Sequence, residues 1–238
     1  IGTGPYVLDD FGSDLGLITL RANSEYYRGR PKMDEVHFAL YTTPAALLDG
    51  YARKQIMGIS QLNPNQLRAA EKNESLKIYE YSLPAYVGLF YNTKTSYLAN
   101  TSVRQAITQA IDRDSIIAGS LSSRAVPVYY PILPGQAGFN PKAVRYQHDQ
   151  VAASKVLQAN KTTKPLRLVT LKSPEYSTVA RQIAQQLELV GVPVEIKETD
   201  IVSLQQNHIR PRNYDLLLYG QNVGIDSDAY SFWHSSQI

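Results

Sequence analysis

The sequence predicts an α/β fold, with parallel or mixed sheets covered by helices. Three observations point there. Residues 36–62 and 166–197 each read as strand, capped helix, strand. The helix in each opens on a hydroxyl residue followed by proline, Thr43-Pro44 and Ser173-Pro174, the pairing that favours a first helical turn. Between them, from Ser102 onward, apolar residues recur at helical spacing instead of alternating.

In chain order, residues 5–8 and 17–23 have the short alternation of a hairpin, with Gly12-Ser13-Asp14 as turn material. Residues 36–41 form a strand, and Ala45, Leu48, Ala52 and Ile56 form a helical stripe that Gly58 ends. An extended piece at 59–62 completes the first βαβ unit, which implies a parallel pair and a right-handed crossover. Residues 65–72 read as a short helix, and 76–81 and 86–91 as strands parted by Pro84. Val103, Ala106, Ile107, Ala110 and Ile111 make one helical stripe, and Ile116, Ile117 and Leu121 continue it past Asp112-Arg113-Asp114. That charged break predicts a bend with a fresh cap. Residues 121–140 hold Pro127, Pro131, Pro134, Gly135 and Gly138, a loop long enough to be functional. A helix follows at 150–159, a strand at 166–171, a helix through Tyr176, Val179, Ile183, Leu187 and Val190 stopped by Gly191 and Pro193, and a strand at 194–197. Residues 202–208 read as a short helix and 214–219 as a strongly apolar strand.

Composition narrows the function classes. Of 238 residues, 43% are hydrophobic and 19% charged, which suits a globular protein with a core and excludes disorder. No run of about 18 apolar residues marks a membrane-spanning helix. A net charge of +3 is too small and scattered for a nucleic-acid partner. With 0 Cys, disulfides, thiolate metal sites and cysteine nucleophiles are excluded within this chain. The 17 Tyr against 5 Phe and 1 Trp suit wet, amphipathic contact surfaces. The chain starts at Ile1 without Met and closes on Phe232-Trp233-His234-Ser235-Ser236-Gln237-Ile238, which together read as a piece of a longer protein.

Gly2-Thr3-Gly4-Pro5 lacks the preceding strand and following helix of a phosphate loop and reads as a tight turn. Asp226-Ser227-Asp228 lacks the further oxygen ligands of a calcium loop and reads as a loop cap. His234 with Ser235, Ser236 and Asp226 has the residue types of a hydrolase triad without its Gly-x-Ser-x-Gly elbow. His37, His148 and His208 lie far apart in sequence, and each reads as a lone polar or half-buried residue. The strongest feature is Tyr219-Gly220-Gln221-Asn222-Val223-Gly224-Ile225-Asp226, at the carboxyl end of an apolar strand, where open α/β sheets place ligands. Its glycines permit close backbone approach, its amides donate and accept, and Tyr230, Phe232 and Trp233 follow. The alternatives are a binding site without a catalytic engine and a plain buried strand with an ordinary turn.

Several motifs in order resemble one family. Tyr91-Asn92, Val103-Arg104-Gln105-Ala106-Ile107 and Ala110-Ile111-Asp112-Arg113 are similar to a segment of the extracellular solute-binding proteins of family 5, the oligopeptide- and dipeptide-binding components of ABC importers. Gly2-Thr3-Gly4-Pro5-Tyr6, the run from Asn23 through Tyr26-Tyr27, Gly29 and Pro31-Lys32, and Asp34-Glu35-Val36 with Phe38 resemble the same family in order. So do Tyr214 through Gly220 and the ending with Asp226, Asp228, Tyr230 and Phe232 to Gln237.

The resemblance implies a type II periplasmic-binding-protein-like fold: part of a first lobe in residues 1–84, and most of a second, ligand-closing lobe in residues 85–238, C-terminally truncated. It implies a non-enzymatic protein without metal or cofactor, a monomer, sited in the periplasm or lipid-anchored at the cell surface. The peptide would lie extended between lobes, hinge closure would bury it, and a membrane permease would receive it. Its backbone would pair with the strand end at Gly220, Gln221, Asn222 and Val223, with Tyr91, Asn92, Asp226 and Trp233 completing the site. Many family members carry a Trp after the glycine and an acidic residue beyond it that anchors the peptide amine. Here Gln221 stands at the Trp place and Gly224 near the acidic one, so Asp226 substitutes only if the loop shifts. Some members bind nickel chelates or sugars. A hydrolase using His234 with a nearby serine, and an effector-binding lobe of a regulator, are the competing readings.

Overall fold

A three-stranded antiparallel meander opens the chain: β1 (Tyr6–Gly12), β2 (Leu17–Ala22) and β3 (Glu35–Ala39), paired in that order. The computed structural model describes residues 2–12, 16–60, 62, 64–72, 76–121, 123–224 and 233. Residues 13 and 14 of the expected turn lie outside them. Contacts divide the chain into two units, Ile1–Ile78 and Tyr79–Ile238.

In the first unit, α1 (Pro44–Ala52) starts as expected, with the Thr43 hydroxyl accepting from the Ala46 N–H at 3.2 Å. It stops earlier than the spacing of Ile56 suggested: Arg53 caps it and Lys54 turns left-handed at φ 59°. The helix α2 (Pro64–Ala70) follows. The first βαβ expectation is corrected. β3 pairs antiparallel with β2, and no strand follows α1 among the described residues of this unit. Residues 59, 60 and 62 of the expected extended piece are in no strand, and residue 61 lies outside the described residues. Residues 76–81 form no strand either.

The second unit carries the core. Its sheet has the order β4-β7-β5-β6, built from β4 (Ala85–Tyr91), β5 (Leu166–Leu171), β6 (Val194–Thr199) and β7 (Leu216–Asn222). β5 and β6 are parallel through the helix α7 (Pro174–Leu189), so the second βαβ unit forms as read from its caps. β7 lies inside the sheet, antiparallel to β4 and parallel to β5. Its Leu216, Leu217 and Leu218 are all buried, the continuous apolar run of a strand covered on both faces.

Alternation along the strands sorts the two faces. Leu166, Leu168, Leu216 and Leu218 join Val103, Ile107, Leu157 and Leu187 in the main core. Val169 and Leu217 face the other way, against Leu204 and half-buried Phe90, Tyr214 and Tyr219. The main layer is made of α3 (Ser96–Ala99), α4 (Thr101–Ala110), α5 (Arg113–Ser120), α6 (Gln150–Ala159) and α7. The charged break forms the expected cap, since the Asp112 carboxylate accepts from the N–H groups of Asp114 and Ser115. The other face is covered by α8 (Ile201–Ser203), which runs into a π-helical turn, Leu204–Ile209. Among the described residues no helix is long and apolar enough to cross a membrane.

Candidate functional site

The strand end singled out in the sequence projects past its neighbour. β5 pairs with β7 only from Leu216 to Leu218, whereas β4 follows β7 to its last residue, with Val87 opposite Gly220, Tyr86 opposite Gln221 and Ala85 opposite Asn222. Tyr219 to Asn222 therefore have a strand on one edge only among the described residues.

Each face of this end is furnished differently. On the α7 face, Tyr176 brings its phenol against Gly220. A Cβ at Gly220 would collide with the phenol oxygen, so the close approach that glycine permits here is made by Tyr176. On the opposite face, the Tyr86 hydroxyl donates to Oε1 of Gln221, and the Trp233 indole donates to the Tyr86 hydroxyl at 2.9 Å. The Trp233 ring lies 5.5 Å from Phe90 and 6.4 Å from Tyr86, and Trp233 keeps 45% of its surface exposed. The result is an aromatic shelf with a wet edge.

Beyond the strand, the Asn222 carbonyl side-chain oxygen accepts from the Gly224 N–H at 3.1 Å, closing a turn in which Gly224 takes a φ of 67°. Gln136 reaches in from the 121–149 loop and donates to the Gly224 carbonyl at 3.0 Å. The Val223 N–H donates to the Pro84 carbonyl at 2.9 Å.

Burial raises the pKa of Tyr86 above that of a free phenol, against the hydrogen bond from Trp233. Burial likewise raises that of Tyr176, partly offset by the Gly220 backbone. Both phenols are therefore neutral at neutral pH and act as hydrogen-bonding groups, not as charges.

Of the residues expected to touch ligand, Gly220, Gln221, Asn222 and Val223 come together, and Trp233 stands over the β4 side of the same end. Asp226 lies outside the described residues, as do His234, Ser235 and Ser236 of the hydrolase alternative. Tyr91 and Asn92 sit at the other end of the ladder, where Tyr91 is opposite Leu216, roughly 13 Å away at about 3.3 Å per residue. The Tyr91 ring packs against the main core, its hydroxyl 2.9 Å from Thr108 Oγ1. With Arg104, Gln105 and Tyr146 it lines a shallow recess of about 240 Å³ on the α4 layer. The Asn92 amide donates to the carbonyls of Arg212 and Tyr214 at 3.1 and 2.9 Å, and its oxygen accepts from the Lys94 N–H at 3.1 Å. Asn92 thus holds the turn that leads into β7, where Arg212 adopts a left-handed φ of 54°.

Asn92→Ala leaves two carbonyls without their donor and is expected to cost about 1–2 kcal/mol of stability, read as a lower denaturation midpoint at unchanged m-value.

Among the described residues no group of three or more His, Asp or Glu is placed to hold a metal. His208 is a fold residue: it is buried, with Nδ1 3.0 Å from the Asn213 carbonyl. The sequence reading missed Tyr86 and Gln136, and it placed Tyr176 only in a helical stripe. Tyr86 could be found once residues 86–91 were paired antiparallel to the last strand.

The mixed sheet covered on both faces, with its projecting central strand, is a fold shared with solved periplasmic peptide-binding proteins. The chain belongs to the bacterial extracellular solute-binding proteins, family 5, whose middle-region profile matches residues 1–237. It is 27% identical over 260 residues to the oligopeptide-binding protein AppA of Bacillus subtilis, covering 100% of this chain and 47% of that protein. It is 29% identical to the probable di/tripeptide-binding protein 5 of Pseudomonas aeruginosa, over 98% of this chain and 44% of that one. The solved ABC transporter substrate-binding protein CtaP of Listeria monocytogenes superposes with a TM-score of 0.86 at 26% identity, over 97% of this chain and 48% of CtaP. The chain thus spans about half the length of the relatives it matches.

Proposed function

We propose that the protein carrying this chain is the substrate-binding component of an ABC importer, which captures peptides outside the membrane and delivers them to the permease. The observation that carries this reading is the projecting end of β7, which among the described residues has a strand on one edge and not on the other beyond Leu218. Such an edge takes an extended chain by main-chain pairing, which gives affinity with little dependence on side-chain identity. Family membership and the likeness to AppA and the Pseudomonas protein support peptides as the ligand class, oligopeptides first.

In this reading Gly220 and Asn222 offer the backbone, Val223 ties the end of the strand to Pro84, Gln221 and Trp233 flank it, and Asp226 is the candidate partner for the peptide amine. Tyr91 and Asn92 fix the strand from its far end. The protein binds without chemistry, acts as a monomer, and resides in the periplasm or at the cell surface on a lipid anchor.

Calorimetry on the full-length protein with peptides from dipeptide to nonapeptide tests this. Saturable heat is expected. Absence of heat with every peptide, together with turnover of an ester that His234→Ala abolishes, would establish the hydrolase instead.

A further inference from the structure

Three side chains on the face of β7 away from α7 form one hydrogen-bonded chain. The Trp233 indole donates to the Tyr86 hydroxyl, and the Tyr86 hydroxyl donates to Oε1 of Gln221. The first member fixes the direction, because an indole N–H can only donate. The Tyr86 proton must then go elsewhere, and among the described residues its acceptor is the Gln221 carbonyl oxygen. Burial keeps the phenol protonated at neutral pH, so this donor persists.

The Gln221 amide is left with its nitrogen. The side chain is half-buried, yet its Nε2 hydrogens have no acceptor among the described residues. The order of strands sets where they lie. Tyr86 is the ladder partner of Gln221 on β4, and on its other edge β7 has no strand beyond Leu218 among the described residues. The amide oxygen is turned to β4, so the nitrogen is on the side of the open edge. The main chain agrees. The Val223 N–H bonds the Pro84 carbonyl, and alternate residues of an antiparallel strand direct their main-chain groups to the same neighbour. Gly220 and Asn222 therefore offer theirs to the open edge. An extended peptide paired there sets one side chain beside Gln221 on the same face, where directly opposed Cβ atoms are about 4.5–5.5 Å apart.

We propose that Gln221 is a specificity-determining residue: its amide nitrogen, held outward by Tyr86 and Trp233, donates to the ligand side chain across from it and selects a hydrogen-bond acceptor, a carboxylate before a carboxamide, against an ammonium. This deepens the peptide-binding reading above and rests on it. Main-chain pairing gives affinity without reading side chains, and the amide adds a reading at one position. A carboxylate there gains a charge-assisted bond. An ammonium has no lone pair to accept with, so donor faces donor and both stay unpaired.

Calorimetry on the full-length protein tests this, with alanine pentapeptides carrying one Glu, Gln or Lys at each position in turn. At one position Glu is expected to bind roughly tenfold tighter than Lys, with Gln between them, and the other positions are expected to lack this preference. Gln221→Glu still accepts from Tyr86 but has no donor, so the preference is expected to reverse. Tyr86→Phe lets the amide turn its oxygen outward, so the preference is expected to narrow. Equal Glu and Lys affinities at every position, or a preference that Gln221→Glu leaves in place, overturn the role of Gln221 and leave peptide binding standing. A preference unchanged in Tyr86→Phe overturns the orienting chain. No heat with any of the peptides overturns the peptide-binding reading, and this inference with it. The wild-type scan is read without the variants, whose thermal unfolding is measured alongside.

Discussion

Leu216→Ala is expected to destabilise the Tyr79–Ile238 unit by about 3 kcal/mol. The side chain is 0% exposed, on the central strand, and packs in the main core with residues of α4, α6 and α7. Leu→Ala at sites of this kind costs about 2–5 kcal/mol, because lost burial and the remaining cavity add. Neighbouring strands hold the backbone on both edges at this point, so the site cannot collapse to fill the space. At about 2–4 °C per kcal/mol for a unit of this size, Tm falls by roughly 6–12 °C. Leu189→Ala, on the exposed side of α7 at 73% exposure, serves as the control and is expected to change stability by less than about 0.5 kcal/mol. Equal effects at the two positions would contradict the packing described.

Gly220→Val is expected to cost about 2–3 kcal/mol and to lower peptide affinity at least tenfold. A branched side chain in place of hydrogen meets the Tyr176 phenol, and overpacking of this kind costs about 1–3 kcal/mol. Backbone strain does not enter, since Gly220 has no positive φ. In the absence of the clash, replacing a strand glycine would gain roughly 0.5–1 kcal/mol. Removing the phenol oxygen should therefore rescue part of the loss. A double-mutant cycle with Tyr176→Phe is expected to give a coupling of about 1 kcal/mol by denaturant unfolding. Additive effects would mean that the two residues do not meet.

The elements legible in the sequence are those whose signals are local. Asp149, Ser173 and Asp112 each cap the helix that follows them, and α6 and β5 have the expected bounds. The first βαβ unit differs from its reading because a strand is completed by a partner: the described residues 59, 60 and 62 have no ladder to join. The candidate site divides the same way. Its strand end was visible as an apolar run broken by glycine. Its furniture was not, because Tyr86 reaches Gln221 across 135 positions, and Trp233 reaches Tyr86 across 147. Asn92 shows the converse. It stands out as a motif residue, yet its amide is spent on carbonyls 120 and 122 positions away.

The antiparallel pairing of β4 with β7 has a consequence for synthesis. Tyr91 must wait for Leu216, its ladder partner. At translation speeds of about 5–20 residues per second, the intervening chain takes roughly 6–25 s to emerge. During that interval β4 and β5 have no central strand between them, and the helices have no finished sheet to cover. The nascent second unit is therefore held open by its topology until β7 appears, and a holding factor acting on the growing chain would find its apolar segments exposed for seconds.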